Sequence, residues 1–302
     1  MTSKICVSIL INNYNYAEFL ELAIDSALNQ TYSNVEVIVV DDGSTDNSWE
    51  ILKKYENKII TICKENGGQA SAFNAGFRKS QGDIICFLDA DDAFLPEKLE
   101  KVVRAFEKYP DIGWCFHPLK LINANYEIID LQSYPDKSGV YDVTSHMKRG
   151  KLRGKLPLES IITSGMCLSR SLLKQILPMP EEIRITSDDY IKYAALGMSK
   201  GFILLEELAH QRIHANNAYT RRPDKKQVTS EVAILTAYNL KAKFPFLAAF
   251  VNEIFAYGIA TYTDVGSNHV DFNKIIHEYT SSLPIIEKIK VMMRAKIYSF
   301  LF

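Results

Sequence analysis

Short β-rich runs alternate with amphipathic helical stretches through the first third of the chain, and each run ends in residues with hydrogen-bonding side chains. Cys6 to Ile11 ends in Asn12-Asn13-Tyr14-Asn15, and Val35 to Val40 ends in Asp41-Asp42-Gly43-Ser44. Ile59 to Ile62 precedes Glu65-Asn66-Gly67-Gly68-Gln69, and the fourth run, Ile84 to Leu88, enters Asp89-Ala90-Asp91. Between the runs, Phe19, Leu20, Ala23, Ile24, Ala27 and Leu28 recur at helical spacing, a second helix starts near Asp46, and a third carries Ala70, Phe73, Asn74 and Phe77. Such alternation requires right-handed crossovers, so the chain reads as α/β, with a mostly parallel central sheet covered by helices on both faces. Ligands of such sheets bind beyond the carboxyl ends of the strands, where Asn12, Tyr14, Asp41, Asp42, Asn66, Asp89 and Asp91 would converge.

Carboxylates side by side lose hydration at the tip of a buried strand, and a divalent cation offsets their repulsion. Asp89-Ala90-Asp91 is thus a metal and nucleotide site in outline. Each motif alone also has a plainer reading. Asp91 or Asp92 can cap a helix starting near Pro96, Asp41 and Asp42 can cap a helix or form the turn before Gly43, and Asn66-Gly67-Gly68 can be a turn. Four polar strand ends on one sheet favour a shared site.

In order and spacing, Val7 to Asn15, Ser26 to Thr31, Val40 to Asp46, Asn66 to Gly76, Gly82-Asp83 and Leu88 to Asp92 resemble the opening of a family 2 glycosyltransferase. The likeness is close over roughly residues 5 to 110 and continues more loosely to about residue 215. It implies a nucleotide-sugar-dependent transferase of the A-type glycosyltransferase fold that uses Mg²⁺ or Mn²⁺ and inverts the anomeric centre. Carried over by position, the resemblance places Asn12 and Tyr14 at the base and ribose. It has Asp42 accept a hydrogen bond from the base, Asp41 support that loop, Asn66 contribute to the donor site, Asp89 face the ribose and Asp91 bind the metal. Asn12-Asn13 stands where the family commonly has Pro-Thr, and asparagine can both donate and accept.

Downstream, Asp188-Asp189 stands where the family's helix opens with Glu-Asp, which implies Asp189 as the general base and Asp188 on the acceptor side. Without the upstream matches, Ser187-Asp188-Asp189 reads as a helix cap and first turn. Gln211 to Asn217 is similar to the Arg-x-His segment that closes the family's catalytic domain, so His214 either completes the metal shell or approaches the diphosphate; a lone histidine can equally be structural. The Gln-x-x-Arg-Trp motif of the family's processive polymerases is absent, which implies one sugar per encounter. The hydrogen-bonding pattern expected of Asp42 suits UDP or dTDP donors better than GDP. A glycan or lipid-linked acceptor of surface polysaccharide synthesis is the expectation at family level.

Two other function classes remain open on the sequence. A nucleotidyltransferase also places a cation-binding acid on an α/β sheet, but would carry a glycine-rich, basic phosphate loop after its first strand, which Asn12 to Asn15 does not provide. A non-catalytic sugar-nucleotide-binding protein would have lost Asp91 or Asp189, and both are present.

The chain's 302 residues, 47% of them hydrophobic, suffice for a large core. The economical partition is a catalytic domain over residues 1–222, with a nucleotide-binding half at 1–112 and an acceptor-side half at 113–222, followed by a helical extension at 223–302. A net charge of −1 argues against nucleic acid as a partner. Cys6, Cys63, Cys86, Cys115 and Cys167 lie mostly in apolar runs without Cys-x-x-Cys spacing and read as reduced core residues. With no signal peptide evident before Cys6, a cytoplasmic protein is expected.

The apolar tract from Phe244 to Ala260 is interrupted by Pro245, Asn252 and Glu253 and reads as a packed helix rather than a membrane span. In Ile285 to Phe302, residues Ile285, Ile286, Ile289, Met292, Met293, Ile297 and Phe300 fall on one helical face flanked by Lys288, Lys290 and Arg294. Such a helix could lie on an anionic membrane, which would set the protein at its inner face, or pack on the protein or in a homodimer. The stretch from Leu131 to Leu156, with Lys148, Arg149, Lys151, Arg153 and Lys155, reads either as a mobile acceptor or lid segment or as a solvated basic loop.

Overall fold

The computed structural model describes residues 4–130, 134, 137–158, 160–215, 217–219, 222–266 and 270–301. The alternation read from the sequence is realised as β1 (Val7–Asn13), α1 (Ala17–Leu28), β2 (Val35–Asp41), α2 (Ser48–Lys54), β3 (Ile60–Cys63), α3 (Gln69–Lys79) and β4 (Ile84–Asp89). Next come β5 (Ala93–Phe94), α4 (Lys98–Lys108), β6 (Trp114–Phe116), β7 (Lys120–Asn123), β8 (Gly139–Tyr141), α5 (Thr144–Lys148), β9 (Met166–Ser169) and α6 (Arg170–Ile176). The chain closes with α7 (Asp188–Met198), β10 (Gly201–Ile203), β11 (Ala209–Ile213), α8 (Lys225–Lys243), α9 (Ala248–Asp264), α10 (Val270–Ser281) and α11 (Ile285–Leu301).

The main sheet has the order β3-β2-β1-β4-β9-β6-β10-β8, and a small sheet has the order β5-β11-β7. Strand β1 runs parallel to β2 and β4, β2 to β3, and β6 to β10, whereas β9 opposes β4 and β6, and β8 opposes β10. The sheet is therefore mostly parallel, as the alternation requires. Side chains alternate across it. Val7, Ile9 and Ile11 of β1 meet Leu20 and Ile24 of α1 and Leu99 and Val102 of α4 on one face. Leu10, with Phe87 of β4, meets Phe73 of α3 on the other. Each such fully buried aliphatic or aromatic side chain contributes about 1.5–3 kcal/mol by leaving water.

The register sets the site. Asn12 lies opposite Asp89, and Asn13 lies opposite Asp41, so the polar tips of three strands stand side by side. Asp91 and Asp92 do not cap a helix, because β5 intervenes and α4 starts only at Lys98. Helices α8 and α9 share one continuous apolar core with α3 and α7. Cys86, Cys115 and Cys167 are buried as expected; Cys63, at the end of edge strand β3, is exposed instead. Strand β8 and helix α5 form within the basic stretch 131–156, of which residues 131–133 and 135–136 lie outside the described residues.

Candidate active site

A cleft of about 770 Å³ opens over the tips of β1 and β4, and Asn12, Tyr14, Asp42, Asn66, Asp89, Asp91 and Asp188 all line it. That volume is in the range of small-ligand sites. Asn12 donates to Asp89 (Nδ2 to Oδ1, 3.0 Å), and Tyr14 stands half exposed at the rim. Asp41 lies behind the cleft wall, where Asn13 Nδ2 and the backbone N–H and hydroxyl of Ser44 bind its carboxylate, so it supports the loop.

Asp42 is more heavily engaged than a free base acceptor would be. Its Oδ1 accepts from Lys64 Nζ (2.6 Å) and the Gly67 N–H (3.0 Å), and its Oδ2 from the Gly68 N–H (2.6 Å) and Asn66 Nδ2 (3.2 Å). Four donors fill the usual acceptor positions of a carboxylate. In this arrangement Asp42 anchors the 64–68 loop, and Asn66, whose Nδ2 also reaches the Asp42 carbonyl (3.0 Å), is held by the same contact.

Gly68 explains how the two halves meet. Its φ of 88° and ψ of 174° fall in a region open essentially to glycine alone, and a Cβ there would sit 2.7 Å from Arg184 Cα. The next residue, Gln69, bonds the Arg184 carbonyl through its N–H (2.8 Å). Gln69 Oε1 accepts from the N–H (2.9 Å) and hydroxyl (3.0 Å) of Ser187, and Nε2 donates to Asp89 (3.3 Å). One side chain thus ties the start of α7 to the tip of β4. Gly68→Ala is expected to lower stability by about 2–3 kcal/mol, from strain and collision together. Urea unfolding is the check, and an unchanged midpoint would mean that the loop relaxes freely.

The acids carry strong mutual repulsion. Burial, then the charges of Asp91 and Asp188, push Asp89 up to about 7; burial, then Asp189, push Asp188 up to about 6. Asp92 is also raised well above the ordinary carboxylate range, by burial and then by Asp91. Its carboxylate accepts from Ser164 Oγ (2.6 Å) and the Arg212 N–H (3.0 Å), while Ser164 Oγ also takes the Asp89 N–H (3.1 Å). Beneath them, fully buried Lys98 donates to the Ser164 carbonyl (2.8 Å). This network fixes the turn that aims Asp91.

His214 Nε2 lies 3.1 Å from Asp91 Oδ2, which also accepts from Asn217 Nδ2 at 3.0 Å. The structure thus brings the sequence-predicted metal residues together, the histidine packed against Phe19. Among the described residues no group of three His, Cys, Asp or Glu side chains is preformed for a metal. The donor set nevertheless fits a hard cation of the Mg²⁺ or Mn²⁺ type, which commonly takes one or two protein groups and completes its shell with phosphate and water. The mutual repulsion of Asp89, Asp91 and Asp188 is what such a cation would offset.

Asp188 and Asp189 diverge at the start of α7. Asp188 is buried and borders the cleft, whereas Asp189 is not among the lining residues and pairs with Lys192. Burial alone would lower Lys192, but the Asp189 carboxylate raises it above its ordinary value. Ser187 makes no side-chain cap; its hydroxyl is taken by Gln69.

Several cleft residues lay outside the sequence-predicted set. Arg184, Arg212 and Arg222 give its wall positive charge. Arg212 is fully buried, its guanidinium 4.2 Å from the Tyr126 ring centroid, its Nε donating to the Asp91 carbonyl (3.1 Å) and its Nη2 without a partner among the described residues. The Arg-x-His spacing pointed at its segment, and the adjacency of Gln69 to Asn66-Gly67-Gly68 pointed at Gln69. Asn216, quoted in the same segment, lies outside the described residues.

A mostly parallel sheet whose strand tips gather acids and asparagines around one cleft, with arginines along its wall, is the arrangement expected of an A-type glycosyltransferase. The Glycosyl transferase family 2 model matches residues 8–177, and the chain belongs to that family. An uncharacterized glycosyltransferase of Nostoc sp. is 38% identical over 216 residues, covering 70% of this chain and 66% of the relative. One from Rickettsia typhi is 32% identical over 213 residues, covering 69% and 64%, so the chain matches just under two thirds of the length of these relatives. The crystal structure of S. aureus TarS 1-349 in complex with UDP shares the fold, with a TM-score of 0.68 at 17% identity over 97% of this chain and 89% of that one.

Proposed function

We propose that this glycosyltransferase is metal-dependent and inverting, and that it moves one sugar per encounter from a UDP- or dTDP-linked donor to a hydroxyl of a glycan or lipid-linked acceptor in surface polysaccharide synthesis. The observation that carries the reading is the meeting of Asp89 at the end of β4 and Asp91 just beyond it with Asp188 from α7 on one cleft. The solved TarS complexes with UDP and UDP-GlcNAc support a uridine nucleotide as donor.

Asp91, with His214 beside it, would hold Mg²⁺ or Mn²⁺, and a cation there supplies positive charge to the departing diphosphate. Arg212 and Arg222 also line the cleft and would add positive charge near that anion. Asn12, Tyr14 and Asn66 border the nucleoside, and Asp89, held by Asn12 and Gln69, faces the ribose. The acceptor oxygen attacks the anomeric carbon opposite the leaving group; the new C–O bond forms as the sugar–phosphate bond breaks, and a carboxylate of the Asp188-Asp189 pair takes the hydroxyl proton. Asp188 is the member facing the cleft. Its raised pKa keeps it basic enough to accept a proton, while Asp189 is neutralised by Lys192.

A thermal-shift screen of nucleotides and nucleotide sugars, with and without Mn²⁺, tests the reading. A ligand at a hundred times its Kd adds about 2.7 kcal/mol to the folded state, which is a rise of several degrees. UDP or dTDP derivatives should produce that rise, more strongly with Mn²⁺. An equal response to all nucleotides, or to none, removes the donor assignment.

A further inference from the structure

Helix α11 has two distinct faces, and among the described residues only one has a partner. Val291 and Ala295 are buried against α9, Tyr298 packs edge-on to Tyr257, and Arg294 pairs with Glu253 (2.7 Å). Around the helix from them, Ile285, Ile286, Ile289, Met293, Ile297 and Phe300 stand exposed, Phe300 at 80% and Ile285 at 69%. That apolar arc does not hold the helix to the protein, since the opposite side does.

We propose that this face of α11 docks in plane on an anionic lipid surface. The charges around it are the argument. Lys296, four residues from both Met292 and Phe300, stands inside the apolar arc, and Lys288 and Lys290 edge it. The one acid of the helix, Glu287, is turned aside to pair with Lys290 (2.7 Å). A second copy laid face to face would bury Lys296 with no acid to meet it. At a bilayer, lysine stems lie along the acyl boundary and their ammonium groups reach anionic headgroups. Among the described residues no helix is long and apolar enough to cross a membrane, so the contact is peripheral.

Co-sedimentation with phosphatidylcholine vesicles, and with vesicles in which phosphatidylglycerol replaces part of the phosphatidylcholine, tests it on the full chain. Binding is expected only to the second kind and should weaken with salt. The double substitution Ile289→Glu, Phe300→Glu, at two exposed positions, should reduce partitioning by ~10-fold or more with an unchanged melting temperature and unchanged response to UDP and Mn²⁺. Lys290→Ala and Lys296→Ala should each cost about fivefold at low salt. The proposal is overturned by equal binding to both vesicle types, by binding that survives the double substitution, or by no vesicle binding. In the last case, light scattering that shows a dimer split by the same substitution would assign the face to a second copy.

Discussion

Asp188→Asn is expected to abolish sugar transfer and, in the ligand-free protein at about pH 8, to raise resistance to heat. Both effects come from one carboxylate placed in a buried cleft beside Asp89 and Asp189. Its pKa is raised to about 6 from an ordinary 3.8, so the folded state holds this proton more tightly than the unfolded chain does. Whatever stability the proton contributes is therefore present at low pH and is lost as pH rises from about 4 through about 6. Two units correspond to about 3 kcal/mol at higher pH. Asparagine keeps the shape and removes the charge. Scanning fluorimetry should find the variant more stable than the parent by several degrees at about pH 8, with the difference gone near pH 4.

kcat/KM is expected to rise with pH as Asp188 loses its proton and becomes a base, while loss of that base costs ~10²–10⁴ in rate or more. Asp189→Asn discriminates. It leaves Lys192 without its carboxylate and should lower thermal stability rather than raise it. Full turnover in Asp188→Asn combined with loss of turnover in Asp189→Asn would return the base to Asp189, as the family register implies.

Asp91→Ala is the second large effect. The substitution removes the carboxylate at the tip of β4 that engages His214 and Asn217, and with it the group proposed to hold the cation. Metal-dependent donor binding should disappear in calorimetric titration with Mn²⁺ and UDP, and transfer should fall by several orders of magnitude, since a Lewis acid supplies several kcal/mol at a diphosphate leaving group. The fold should remain, because Asp92, not Asp91, carries the bonds to Ser164 and the Arg212 N–H. Undiminished titration with Mn²⁺ and UDP would place the cation elsewhere.

The contrast between neighbouring acids shows where sequence reading stops. The Ser187-Asp188-Asp189 pattern and the family resemblance put both acids in the first turn of a helix, but consecutive helical residues point about 100° apart, and which one meets the cleft depends on how the helix docks. That docking runs through Gly68 and Gln69, whose bond to Ser187 spans 118 residues of chain. Asp42 is a similar case. The motif placed it correctly at the strand end, yet its four protein donors come from a loop whose closure no local pattern encodes. For α11 the apolar stripe was legible, and the structure adds that its protein-facing side is a different one, Val291 and Ala295.

Local chemistry was enough to establish the alternation of strands and helices, the mostly parallel sheet and the crowding of acids and asparagines at its strand tips, because each follows from side-chain period and from where polar groups can be solvated. The three-dimensional fold alone settled which acid faces the cleft, which arginines join it, and which side of the last helix is left bare. The first two outcomes are set by contacts that join Gln69 to Ser187 and Arg212 to Asp91 across the chain, and the last by the packing of α11 on α9; their geometry is a property of the whole packed core.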